Sequence, residues 1–259
     1  MQWMTLFEKE MLENWRNKKW IWVPLVIMLL SVMDPLSSYY MPQIIDSVGG
    51  MPDGMVIQVP DYSPPDVIMM TLSQLNSLGV LVLVLTTMGT ISSERKSGVS
   101  ELILVKPVSY KNYITSKWLT SVLLVWLSLF LGLCISWYYI NLLFGSIAFT
   151  DILKVIFFYG LWFVFIVSLS IFYNTWVRSF GIVAFLTILS IGLVSMLPSI
   201  FGEKLAWIPS NLTEYVHQML TTGNISMDLY MTAIVTLVLC ALLLVCSVSI
   251  FKTKELASS

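Results

Sequence analysis

The chain has 259 residues, 57% of them hydrophobic and 11% charged, and its mean hydropathy is +0.83. An average soluble domain carries about 25% charged residues and about 45–50% apolar ones, so a soluble core of this length could not hide so much apolar surface. The apolar residues also come in long blocks, which leaves a membrane protein as the class. The net charge of −1 decides little; where the charges fall decides more.

Residues 1–19 read as an amphipathic helix lying in the membrane interface. At about 100° per residue, Trp3, Met4, Phe7, Met11 and Trp15 share one side, with Lys9, Glu10, Glu13 and Arg16 on the other. Acids, bases and tryptophans are mixed through this stretch, and no small-residue cleavage site follows the next apolar run. It does not read as a signal peptide.

Six apolar runs follow, near 20–40, 66–91, 117–143, 152–177, 180–200 and 227–251. Each approaches or exceeds the roughly 20 helical residues that cross a hydrocarbon core of about 30 Å. Asp34-Pro35 interrupts the first run about 21 Å above Trp20, which reads as a solvated helix end before a proline. Residues 41–65 hold Pro42, Gly49, Gly50, Pro52, Gly54, Pro60, Pro64 and Pro65, the content of an irregular outer loop. In residues 201–226, Ser210 reads as an N-cap and Gly223 as a stop, predicting a short outer helix between them. The cysteines Cys134, Cys240 and Cys246 sit inside apolar runs, as small buried hydrophobes rather than a disulfide or metal framework. No internal repeat interrupts residues 1–259, which read as one membrane domain.

Orientation follows from lysine and arginine. With the N-terminus in the cytoplasm, 12 of the 14 basic residues fall on the cytoplasmic side, leaving only Lys154 and Lys204 outside. Six spans then return the C-terminus, with Lys252 and Lys254, to the cytoplasm. The expectation is an all-α protein, multi-pass in the cytoplasmic membrane, with both termini inside.

Much chemistry is missing. Glycine is never followed by lysine, so there is no phosphate loop and no ATP hydrolysis by this chain. His217 is the single histidine, which excludes paired-histidine zinc sites. The spans carry few ionisable groups, unlike ion-coupled transporters that hold charges at the midplane. Gln74, Asn76 and Asn174 are polar but uncharged, as interhelical hydrogen bonding requires. Asp46, Asp53, Asp61 and Asp66 are the only acids that could serve a lipid-modifying enzyme, and they have neither His nor Arg beside them. A membrane path without an energy source implies that energy, if used, arrives from outside.

Residues 92–116 form a polar island between the second and third runs. Val99, Leu102, Ile103 and Lys106 follow the spacing of one helix face; Gly98 precedes this short helix and Pro107 ends it. Glu94, Arg95, Lys96 and Glu101 surround that face with both signs of charge. A small apolar stripe in such a setting suits docking into a groove on a soluble partner.

The stretch Glu94-Arg95-Lys96-Ser97-Gly98-Val99-Ser100-Glu101-Leu102-Ile103-Leu104-Val105-Lys106-Pro107-Val108-Ser109, with Lys117 beyond it, resembles the second cytoplasmic element of ABC-2 type transporter permeases. The matching positions are Glu94, Arg95, Gly98, Glu101, Leu102, Leu104, Pro107, Val108, Ser109 and Lys117, whereas Val99 replaces a usual Thr and Ser116 a usual Gly. Permeases of nitrous-oxide-reductase maturation systems are the most similar subgroup in the loop. The resemblance implies a homo- or heterodimeric exporter permease that binds two separate ATPase subunits, which hold the ATP and Mg. Loop residues Glu94, Arg95, Gly98, Val99, Glu101, Leu102, Ile103 and Pro107 would make the coupling contact. No catalytic residue, metal, cofactor or nucleic acid is expected in or on this chain. The alternative is a multi-span anchor that holds a soluble regulator through the same loop without transport.

Overall fold

The computed structural model describes residues 2–47, 62–98 and 109–256. Among these residues six helices are long and apolar enough to cross a membrane: Lys19–Ile44, Pro64–Lys96, Tyr110–Leu143, Phe149–Trp176, Phe180–Phe201 and Met227–Thr253, called spans 1 to 6. A separate N-terminal helix, Gln2–Arg16, precedes them. Lys18, at φ 56°, turns the chain from that helix into span 1.

Span 4 is the hub. Of its most apolar window 89% is buried, against 17% in span 5 and 22% in span 6. Spans 2, 3, 5 and 6 all pack against it, and span 1 lies along span 3. Lipid is as apolar as leucine, so close packing and polar contacts must hold such helices together. Gly132 of span 3 supplies one close approach: a Cβ there would meet Ser31 Oγ at 2.8 Å and Ile27 Cγ2 at 2.9 Å on span 1. Buried polar pairs stitch the rest. Thr71 meets Ser136 at 3.2 Å across spans 2 and 3. Thr87 Oγ1 donates to Ser170 Oγ at 2.8 Å across spans 2 and 4, and Trp118 Nε1 to Ser168 Oγ at 2.9 Å across spans 3 and 4.

Three sequence expectations need correction. The span 1 helix does not end at Asp34-Pro35; it runs unbroken from Lys19 to Ser47, with Pro24, Pro35 and Pro42 inside it. Residues 41–47, expected to be loop, are therefore helical, and packing along span 3 outweighs the breaker content. The polar island is shorter than 92–116, because Ser92–Lys96 is helical and span 3 begins at Tyr110. The outer helix spans Leu212–Thr222 and stops at Gly223 as expected, but its N-cap is Asn211. Ser210 sits in the preceding 3₁₀ turn and donates to the Val194 carbonyl instead.

Span 2 is not a uniform helix. Between the α-helices Pro64–Gln74 and Val80–Thr87, residues Leu75–Gly79 form a π-helical turn. Two side chains of span 4 brace it: Tyr159 donates to the Leu72 carbonyl at 3.1 Å, and Trp162 Nε1 to Asn76 Oδ1 at 2.9 Å. Such wide turns recur at functional positions of helices.

Candidate functional site at the base of the bundle

The end of the bundle that carries the N-terminal helix and the last turns of span 6 is called the base. Here span 2 does not give way to a free loop. It ends in a final helical turn, Ser92–Lys96, in which Ser92, Glu94 and Arg95 are all buried.

Asn174 of span 4 fixes the start of that turn. Its Oδ1 accepts from the Ile91 and Ser92 amides at 3.2 and 3.1 Å, and its Nδ2 donates to the Thr87 carbonyl at 3.1 Å. Asn174 is fully buried, so one carboxamide satisfies backbone groups that water cannot reach. The sequence reading of interhelical hydrogen bonding holds for this residue.

Glu94 is the centre of an ionic cluster. Lys9 Nζ lies 2.6 Å from its Oε1 and Lys117 Nζ 3.1 Å, while the Tyr113 hydroxyl donates to Oε2 at 2.5 Å. Lys117 also contacts Glu10 at 2.8 Å, and Lys9 contacts Glu10 at 3.1 Å. The Lys117 side chain is 1% exposed, so its charge has no recourse to solvent and depends on these two carboxylates. Burial by itself would lower the Lys9 pKa, but the hydrogen bond and charge of Glu94, aided by Glu10, outweigh it and hold Lys9 well above the ordinary lysine value.

Arg95 points the other way. Its Nη1 donates to the Thr175 carbonyl at 2.9 Å, and its guanidinium lies 5.5 Å from the centre of the Phe251 ring. Phe251 of span 6 stacks on Tyr113 at 5.5 Å. Glu94 and Arg95 thus tie the N-terminal helix and spans 3, 4 and 6 to the last turn of span 2.

The carboxylates of Glu10, Glu13 and Glu94 bring oxygens within 4.8 Å of one another, the spacing of a cation site. Lys9 and Lys117 already lie against those oxygens, Lys9 reaching Glu13 at 3.4 Å as well, and supply the positive charge a metal would. Beside the cluster lies a cavity of about 290 Å³ lined by Glu13, Lys19, Gly89, Ser93, Lys117 and Phe180 among others.

Of the coupling residues expected from sequence, Glu94 and Arg95 are buried in the base. Gly98 follows at φ 76°, where glycine turns the chain out of the helix without strain. Val99, Glu101, Leu102, Ile103 and Pro107 lie outside the described residues. Sequence reasoning missed Lys9, Glu10, Tyr113 and Phe251 as parts of the cluster. A lysine at the start of a span, Lys117, was the one available signal that a buried acid must lie nearby.

Residues 54–257 match the family described as protein of unknown function DUF2705. A relative from Bacillus subtilis (strain 168), the uncharacterized transmembrane protein YxlG, is 35% identical over 241 residues, which cover 93% of each chain. The chain belongs to the DUF2705 family. The matched region takes in spans 2 to 6, and Glu94, Arg95, Tyr113, Lys117, Asn174 and Phe251 of the base lie within it. Lys9 and Glu10, on the N-terminal helix, fall before it. The multi-span membrane architecture and a transmembrane relative make this DUF2705 chain a multi-pass membrane protein.

Proposed function

We propose that this chain is the permease subunit of an ATP-driven exporter of the ABC-2 type, paired with a second permease chain and powered by separate soluble ATPase subunits. One observation supports this above the rest: the root of the loop that resembles a coupling element, Ser92–Lys96, is locked by Glu94 and Arg95 to the N-terminal helix and to spans 3, 4 and 6. A force applied to residues 97–108 by a partner would reach four helices through that one turn. A simple anchor has no need of such a linkage, nor of a central span as buried as span 4. In this reading the base faces the cytoplasm, in agreement with the basic residues on that side. Lys9, Glu10, Glu94 and Lys117 act as positioning residues, and the chain itself carries out no catalysis.

Co-purification with the soluble ATPase encoded nearest to it tests the reading, wild type against Glu101→Lys. The expected result is a complex for the wild type and its loss in the variant, with the variant still extracted from membranes as a folded protein. A wild-type chain that retains no ATPase contradicts the proposal.

A further inference from the structure

The π-helical turn of span 2 leaves polar groups where lipid would otherwise lie. Asn76 is 12 residues from Pro64 and 13 from Gly89, so at about 1.5 Å per residue it sits roughly 18–20 Å from each. That is the middle of the membrane. Ser73, Asn76 and Ser77 are exposed there and Gln74 is half-exposed. In the other spans Ser31, Ser128, Ser136, Thr187 and Thr236 are buried, whereas Ser37, Ser195 and Ser249, nearer the span ends, are exposed.

The hydroxyls do not carry the argument, because Ser77 Oγ satisfies itself on the Ser73 and Gln74 carbonyls at 3.2 and 3.1 Å. The carboxamides do. Asn76 Oδ1 accepts from Trp162, but Asn76 Nδ2 and the Gln74 amide have no hydrogen-bond partner among the described residues. An unpaired amide in hydrocarbon carries a large transfer penalty, and lipid tails cannot relieve it. Something polar covers this face.

We propose that a second copy of the chain covers it, the two copies meeting along span 2. The Ser73-x-x-x-Ser77 strip gives the close approach that small residues four apart allow between membrane helices. A two-fold axis lays the same patch on itself, and a carboxamide, being both donor and acceptor, complements its own copy where a charged side chain would repel it. Gln74 and Asn76 of each copy pair across that axis. The inference rests on the pairing in the permease reading and names the surface that makes it.

Single cysteines placed on a background with Cys134, Cys240 and Cys246 replaced by alanine test it by oxidative cross-linking in intact membranes. Ser73→Cys and Ser77→Cys are expected to give covalent dimers, and Leu193→Cys on span 5 and Val245→Cys on span 6, both exposed, are expected not to. Dimers at Leu193 or Val245 alone would overturn this surface while leaving the pairing intact. Cross-links at no position, with a monomeric mass in mild detergent, would overturn both. Gln74→Leu removes a polar group without threatening membrane insertion. It is expected to shift the monomer–dimer equilibrium toward monomer by roughly threefold to thirtyfold; an unchanged equilibrium would remove the amide from the contact.

Discussion

Lys117 shows what single residues contribute at the base. Its ammonium is buried between Glu10 and Glu94, and removing it leaves Lys9 alone to balance two buried carboxylates. Lys117→Met is therefore expected to cost about 3–5 kcal/mol, visible as a large fall in thermal midpoint in detergent. The Lys154–Asp151 pair has a similar separation, 2.7 Å, but both side chains are more than one-third exposed. Lys154→Met should cost less than about 1 kcal/mol, so comparing the two variants separates burial from mere proximity. Lys9 is held in the charged state: its raised pKa makes its stabilising contribution complete at neutral pH, to be lost only as pH climbs through the folded-state value in strong alkali. Asn174→Ala should cost about 1–3 kcal/mol by leaving the Ile91 and Ser92 amides without acceptors. Hydrogen exchange at those two amides is the measurement, and unchanged protection would mean that the Asn174 cap is dispensable.

At the scale of the helix, the spacing of apolar residues located the six spans because lipid demands continuous runs, and each expected run overlaps an observed helix. Local breaker rules failed where packing dominates. Asp34-Pro35 looked like an end, yet the chain continues as helix because span 1 lies along span 3 for most of its length. Asp34 consequently stays within the helix, with Oδ2 buried and without a hydrogen-bond partner among the described residues. The simple reading of a solvated helix end does not account for it. The π-helical turn left no mark in the periodicity, since five wide-turn residues are too few to shift it. At the contact of spans 1 and 3, Gly132→Ala is expected to cost about 1–3 kcal/mol through overpacking, because the new Cβ would fall within 3 Å of Ser31 and Ile27. Gly192→Ala, where nothing lies within 4 Å, should be neutral or stabilising by up to about 1 kcal/mol. Equal thermal midpoints for the two variants would contradict the close approach.

For the whole molecule, composition alone fixed the class, because no soluble core could absorb this apolar content. The candidate site was legible in part. Glu94, Arg95 and Lys117 stood out as charges flanking apolar runs, but their partners lie far away in the chain, Glu10 107 residues from Lys117 and Phe251 farther still from Arg95, and no local pattern reveals such a pairing. The N-terminal helix is held by the same cluster. Glu10, placed on its polar side, is the residue the bundle buries, while Met4, Leu12 and Trp15 face outward. The cluster around Glu94 explains why: a buried lysine at the mouth of span 3 needs acids more than the bundle needs another apolar contact. The N-terminal helix is thereby part of the base, joined by ion pairs to the last turn of span 2 and to span 3.

The central claim is that this base is driven by a soluble ATPase. Native mass spectrometry of the wild-type chain, expressed with the soluble ATPase encoded nearest to it and extracted in mild detergent, tests it most directly. The account predicts an assembly of two membrane chains and two ATPase subunits. Membrane chains recovered intact but free of any ATPase would contradict it.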